Sequence, residues 1–176
     1  MKIFVSHSLD DKELLVKVEE TLKPYGIQLL VAEHYYETTE TITKKIEKMI
    51  TDCDLALILL TEKGFNSAFV QQEIGYISSL KRPHIQLVQH GFEKKITGFN
   101  FGKDYISFDP SNPERAIEKF KNKVSSMLIE KAEIKKKHEQ LAAQMALKKK
   151  QMQIKNEKTG IGILVIFIAF VLIFSD

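Results

Sequence analysis

The sequence predicts an α/β fold: a doubly wound five-stranded parallel sheet, followed by a long helix and a C-terminal transmembrane helix. Three observations predict it. Short apolar, β-branched runs alternate with segments of helical period up to about residue 113, the pattern of a parallel sheet covered on both faces. The run Leu55–Leu60 (LALILL) is apolar without alternation, as a strand buried on both faces must be. Beyond Pro113 the strand pattern stops, and apolar residues recur every seven positions with a matching series three residues later.

Taken in order, Ile3-Phe4-Val5 is the first strand, ended by Ser6-His7-Ser8. Ser8 with Asp11 makes a capping box, and Asp10 and Asp11 suit the positive end of a helix. Leu14, Leu15, Val18 and Leu22 repeat at helical spacing up to Pro24, and Tyr25-Gly26 turns the chain into a second strand over Ile27–Val31. A polar loop, Glu33–Thr41, precedes an amphipathic helix marked by Ile42, Ile46, Met49 and Ile50. After the central strand, Thr61–Gly64 reads as a loop, and Asn66 or Ser67 caps the helix that carries Phe69 and Glu73. Lys81-Arg82-Pro83 ends that helix, Ile85–Val88 is the fourth strand, and Gly91–Gly102 reads as loop or weak helix. Tyr105–Phe108 is the fifth strand, and Pro110–Pro113 leads into the last helix.

Composition divides the chain. Residues 1–123 form the α/β domain, 124–158 a lysine-rich helical stalk, and 159–175 the apolar terminus. The formal net charge is +3, yet Lys131–Lys158 holds nine lysines against three glutamates, a local +6, so the remainder carries −3. Cys53 is the only cysteine, which excludes an intramolecular disulfide and points to a reducing compartment. The amino terminus, Met1-Lys2 followed by the first strand, does not read as a signal segment. Along the stalk, Ile117, Val124, Lys131, His138, Met145 and Met152 pair with Phe120, Met127, Ile134, Leu141 and Lys148. This is a coiled-coil seam interrupted by polar residues, or else a lone solvated linker helix. Gly160–Phe174 is apolar throughout, short of the about 20 residues that cross a typical bilayer, and extended by Thr159 and Ser175 with Lys155 and Lys158 to snorkel. A core helix would need protein on every side, so the expectation is a single-pass C-terminal membrane anchor with the domain held cytoplasmic. The adjacent lysines then serve anionic lipid; without interleaved aromatics, no nucleic-acid partner is expected.

Several boxes carry a family resemblance. Ile3-Phe4-Val5-Ser6-His7-Ser8 followed by Asp10 resembles the first signature box of the Toll/interleukin-1 receptor (TIR) domain. Ile46–Thr61 resembles that family's second helix and third strand, and Asn66–Glu73 the motif in which an aromatic precedes a glutamate by four. Phe108-Asp109 resembles its late Phe-Asp box, and the likeness covers about Met1 to Lys123. It implies a flavodoxin-like TIR fold of the prokaryotic type, and one of two functions. The first is an NAD hydrolase cleaving the nicotinamide–ribose bond on clustering, as in antiviral defence; the second is a non-enzymatic adaptor that assembles with itself or other TIR domains at a membrane. In catalytic members the glutamate at the position of Glu73 is essential. Two differences stand out: Phe69 replaces the usual tryptophan, and Glu33–Glu40 lacks the Pro-Gly of the family's loop, which packs on a neighbour to complete the site.

The chemistry suits one carboxylate. Glycosidases ordinarily use two, one to protonate a poor leaving group. The nicotinamide ring is already cationic in NAD and leaves as a neutral molecule without being protonated, so one anionic Glu73 suffices to stabilise the ribosyl carbon. The carboxylate must be ionised, and nothing nearby in sequence forbids it. Phe69 shares the helical face of Glu73; Ser6 and His7 follow the first strand and Glu33 the second, so all gather at the carboxyl edge of the sheet as candidate NAD contacts. Each has a plainer role: cap, turn, core or solvated charge. NAD enters as substrate, with no cofactor expected. No metal is expected either, since His84 and His90 fit no ligand spacing, and Gly64 stands alone rather than in a phosphate-cradling loop.

Overall fold

A computed structural model describes residues 1–32, 39–98 and 104–173, with side chains placed in 1–32, 42–98 and 104–155. Five parallel strands lie in the order β2-β1-β3-β4-β5. They are β1 (Lys2–Ser6), β2 (Gln28–Leu30), β3 (Leu55–Leu60), β4 (His84–Gln89) and β5 (Tyr105–Phe108). Register runs from Ile3 opposite Leu55 through Leu57 opposite Ile85 to Leu87 opposite Ile106. All six residues of β3 are buried, as an apolar run without alternation requires of the middle strand.

Strand alternation sorts side chains between the faces. Phe4, Ala56, Ile58, Leu60 and Val88 share one cluster with Ile46 and Ile50 of α2 (Thr39–Asp52) and Val70, Ile74 and Ile77 of α4 (Ala68–Ser79). The other parity, Ile3, Val5, Leu57 and Leu87, is equally buried. The remaining helices are α1 (Lys12–Leu22), which buries Val18 and Leu22, and α5 (Glu114–Ile173), which buries Ile117, Phe120 and Val124. Lys17 of α1 meets Glu114 of α5 at 2.8 Å.

Chain contacts divide the molecule into a compact unit over Met1–Ser126 and a second over Met127–Asp176. Within the second, Ile134, Leu141, Met145 and Met152 are all exposed. Among the described residues no helix is long and apolar enough to cross a membrane. The expected transmembrane helix over 159–175 is therefore corrected, and with it the single-pass anchor and the cytoplasmic placement drawn from it. The apolar run is no separate spanning element: up to Ile173 it is the end of α5. Its fifteen residues reach about 22 Å at helical rise, less than the about 30 Å of a bilayer's hydrocarbon core.

Local chemistry explains the elements around the sheet's carboxyl edge. Ser8 forms the expected capping box, its hydroxyl accepting from Asp10 N and the Asp11 carboxylate accepting from Ser8 N, although the turn it opens is 3₁₀ (Leu9–Asp11) before α1 begins. The stretch expected to loop, Thr61–Gly64, instead enters a short helix, α3 (Glu62–Asn66). Thr61 caps it by accepting from Gly64 N at 2.9 Å, and donates its own proton to Asp11 Oδ2 at 2.9 Å. Ser67, not Asn66, caps α4, accepting from Val70 N.

The end of α4 is a Schellman turn: Arg82 N donates to Ile77 O and Lys81 N to Ser78 O, both at 3.0 Å. Lys81 takes the left-handed position, φ 52°, that glycine favours. Lys81→Gly is expected to stabilise the domain by about 1 kcal/mol, read as a raised urea midpoint with unchanged slope. The guanidinium of Arg82 donates to the carbonyls of Thr51 and Cys53, satisfying the carboxyl end of α2 and tying it to the α4–β4 turn.

Candidate functional site

Glu73 lies on the α4 face that carries Val70, Ile74 and Ile77 into the core, and is itself only 5% exposed. Its partner comes from β1. Alternation puts Ser6 on the same face as Phe4, under α4, and the Ser6 hydroxyl donates to Glu73 Oε2 at 2.5 Å. One hydroxyl does not compensate a carboxylate for lost water. Burial pushes the Glu73 pKa up from 4.5 to about 7, against the smaller lowering effect of the Ser6 hydrogen bond. At neutral pH the group is thus divided between its acid and its anion, a condition that its neighbours in the chain did not foretell.

Beside Glu73 is a cavity of about 170 Å³ between facing helices. From α4 come Phe69, Gln72, Glu73 and Tyr76; from α2 come Ile42, Thr43, Ile46 and Glu47. Positions 69, 72, 73 and 76 are one helical stripe, and 42, 43, 46 and 47 another, so both walls follow from the 3.6-residue period. The cavity is walled mainly by apolar surface with a few polar tips, as ligand pockets are. Phe69 is half exposed, so its ring edges the opening rather than filling it.

The structure thus brings Ser6, Phe69 and Glu73 together. His7 has the opposite strand parity; it is buried, its Nδ1 3.3 Å from Val5 O, and it is not part of the cavity wall. Glu33 lies outside the described residues, as do the rest of the polar loop up to residue 38 and the segment 99–103. Sequence reasoning missed the α2 wall. Ile42 and Ile46 mark an amphipathic helix by their spacing, and the same spacing extended to Thr43 and Glu47 is the signal that marks a second wall.

A second buried carboxylate, Asp11, sits at the same edge of the sheet, with its pKa raised chiefly by burial. Its Oδ2 accepts from both Thr61 and the Ser8 amide, so it joins the loops after β1 and β3. That is a structural task. Among the described residues no three His, Cys, Asp or Glu side chains group as metal ligands.

The sequence model of the family described as "TIR domain" matches residues 3–121, more than half of the chain. No curated protein matches the sequence. Among solved structures, the Clostridium botulinum CMP N-glycosidase BcmB is similar with TM-score 0.50 and 14% identity, over 68% of this chain and 98% of that one. A conserved protein from Enterococcus faecalis V583 gives a TM-score of 0.49 and 15% identity, over 68% and 98% of the two chains. The TIR domains of the activated Roq1 resistosome, which directly recognises the pathogen effector XopQ, give 0.46 and 14%, over 56% and 65%. At 14% identity the similarity to BcmB is a likeness of fold.

Proposed function

This chain belongs to the TIR domain family, and we propose that it hydrolyses NAD at the nicotinamide–ribose bond with Glu73 as the catalytic carboxylate. The observation that carries the proposal is a buried carboxylate, partnered by one hydroxyl, in the wall of a ligand-sized hollow at the carboxyl edge of a parallel sheet. The bond between ribose C1′ and the ring nitrogen breaks with both electrons returning to the ring, which leaves as neutral nicotinamide. Water adds to C1′ and gives up its proton, so NAD and water become ADP-ribose, nicotinamide and a proton. The developing charge is positive on C1′, and the anion of Glu73 stabilises it at short range in a dry wall. Phe69, half exposed at the opening, walls the site beside the departing ring.

The stalk supplies the clustering step. Ile134, Leu141, Met145 and Met152 lie on one exposed seam, whose pairing with a second copy would hold domains at high local concentration. The test is to incubate concentrated protein with NAD and measure nicotinamide. Equal release by wild type and Glu73→Ala would sink the proposal. The same half-exposed Phe69 supports a second reading, an adaptor that buries this ring against a neighbouring TIR domain. Light scattering of the domain with turnover intact and no self-association would remove that reading.

Ser6 sets the fraction of Glu73 that is anionic. Ser6→Ala removes the hydrogen bond that lowers the Glu73 pKa. The inflection in kcat/KM is expected to move to higher pH, with turnover at pH 7 reduced several-fold and the alkaline plateau largely retained. An unmoved inflection would show that the hydroxyl does not tune the carboxylate.

A further inference from the structure

We propose that Glu47 is a second carboxylate of the cavity and selects a positively charged ribosylated ring over its neutral counterparts. The inference rests on the NAD reading above and specifies which part of the substrate enters. At about 170 Å³ the cavity is smaller than pockets that enclose a whole drug-sized ligand. It therefore takes one ring and its ribose. Charge decides which end. Among the described residues no lysine, arginine or histidine lines the cavity, while those of α2 and α4 contribute one carboxylate each, Glu47 and Glu73. Such a wall attracts a cation and repels phosphate, so the pyridinium riboside is drawn in and the pyrophosphate stays outside.

Glu47 suits the first part of that task better than Glu73. It is solvent-exposed, and no ion pair among the described residues competes for it. Across the cavity, Phe69 adds an aromatic side chain to the same wall, and aromatic rings favour cations. Once the C1′–nitrogen bond breaks, the electron pair returns to the ring and the attraction vanishes. Glu47 thus holds substrate but not product. NADH, whose dihydropyridine ring is neutral, gains nothing from it.

The experiment titrates wild type and Glu47→Gln with 1-methylnicotinamide, a cation, and with neutral nicotinamide, at low and high salt, alongside NAD turnover. The wild type is expected to bind the cation about fivefold more tightly than the neutral ring, the scale of an exposed charge pair, and Glu47→Gln or added salt should cut that preference, leaving only the share that Glu73 supplies. The KM for NAD should rise about fivefold in Glu47→Gln without a fall in kcat, because the charge leaves the ring in the transition state. Equal binding of the two rings by wild type overturns the proposal. So does a KM in Glu47→Gln at or below that of wild type, which would put the carboxylate beside the pyrophosphate. Cation preference cut in Glu47→Gln, but with no NAD cleavage by wild type, would uphold ring selection and overturn the NAD reading. The two therefore fail separately.

Discussion

Glu73→Gln should eliminate nicotinamide release and, at neutral and alkaline pH, make the domain more stable. The amide matches the carboxylate in shape and still accepts the Ser6 hydroxyl, so the contact at 2.5 Å has a direct replacement. What disappears is the negative charge facing C1′, and with it about a hundredfold or more in kcat, the scale on which aimed electrostatic groups act. The stability change follows from linkage. The folded pKa of about 7 stands above the ordinary 4.5, so between those values the folded state holds a proton that the unfolded chain has released. Stability falls as pH rises through that window and stays at the lower level above it. At about 1.36 kcal/mol per pH unit the loss is about 3 kcal/mol once Glu73 is fully ionised. Glutamine has no such cost. Urea midpoints of the two proteins should agree at about pH 4, part as pH rises from about 4.5 to about 7, and stay apart above that, with the variant higher. A variant less stable than wild type at alkaline pH would show that the anion is compensated by something other than Ser6.

The same titration governs the rate. Free-enzyme kcat/KM should rise with pH through about 7 and level off as Glu73 becomes anionic. In the complex the pyridinium cation favours the anion, so the inflection in kcat should lie at lower pH than that in kcat/KM. Activity gained where stability is lost identifies a group retained for chemistry at the fold's expense.

The sheet was legible because its strands differ so sharply from their surroundings. Leu55–Leu60 has no polar residue, and Tyr105–Phe108 is bounded by polar turns, so both are found where expected. The short helix α3 was not legible: five residues with a central glycine carry no period, and only the Thr61 hydroxyl on Gly64 N reveals them as a helix. The partnership of Ser6 and Glu73 was half legible. Alternation from Phe4 puts Ser6 under α4 and turns His7 the other way, but the depth of Glu73 depends on how α4 packs on the sheet and beside α2. Nothing local to residue 73 encodes that burial, nor the raised pKa that follows from it. The terminal apolar run misled for the opposite reason: its composition is conspicuous, but its length and its continuity with α5 decide what it is.

Gly64→Ala should destabilise the domain by about 3 kcal/mol, although helix propensity alone argues for a gain of about 1 kcal/mol. A Cβ built at Gly64 falls 2.2 Å from the carbonyl oxygen of Leu59 and 3.3 Å from its carbon. The obstacle is backbone, so no rotamer change relieves it. Leu59 is fully buried in β3 and paired opposite Leu87, which leaves α3 to move instead. Moving α3 strains the Thr61 cap on Gly64 N, and through Thr61 the bond to Asp11 that joins the loops after β1 and β3. It also shifts Ser67, whose amide donates to Gly64 O and whose hydroxyl caps α4, the helix that carries Glu73. The expected result is a lowered urea midpoint together with turnover reduced beyond the unfolded fraction, because the contact between Ser6 and Glu73 loosens first. Gly75→Ala is the control. Gly75 lies within α4, and a Cβ there meets nothing within 4 Å, so the same exchange should stabilise by about 1 kcal/mol and spare activity. If both variants gained stability, the close approach of α3 to β3 would not be what requires a glycine at residue 64.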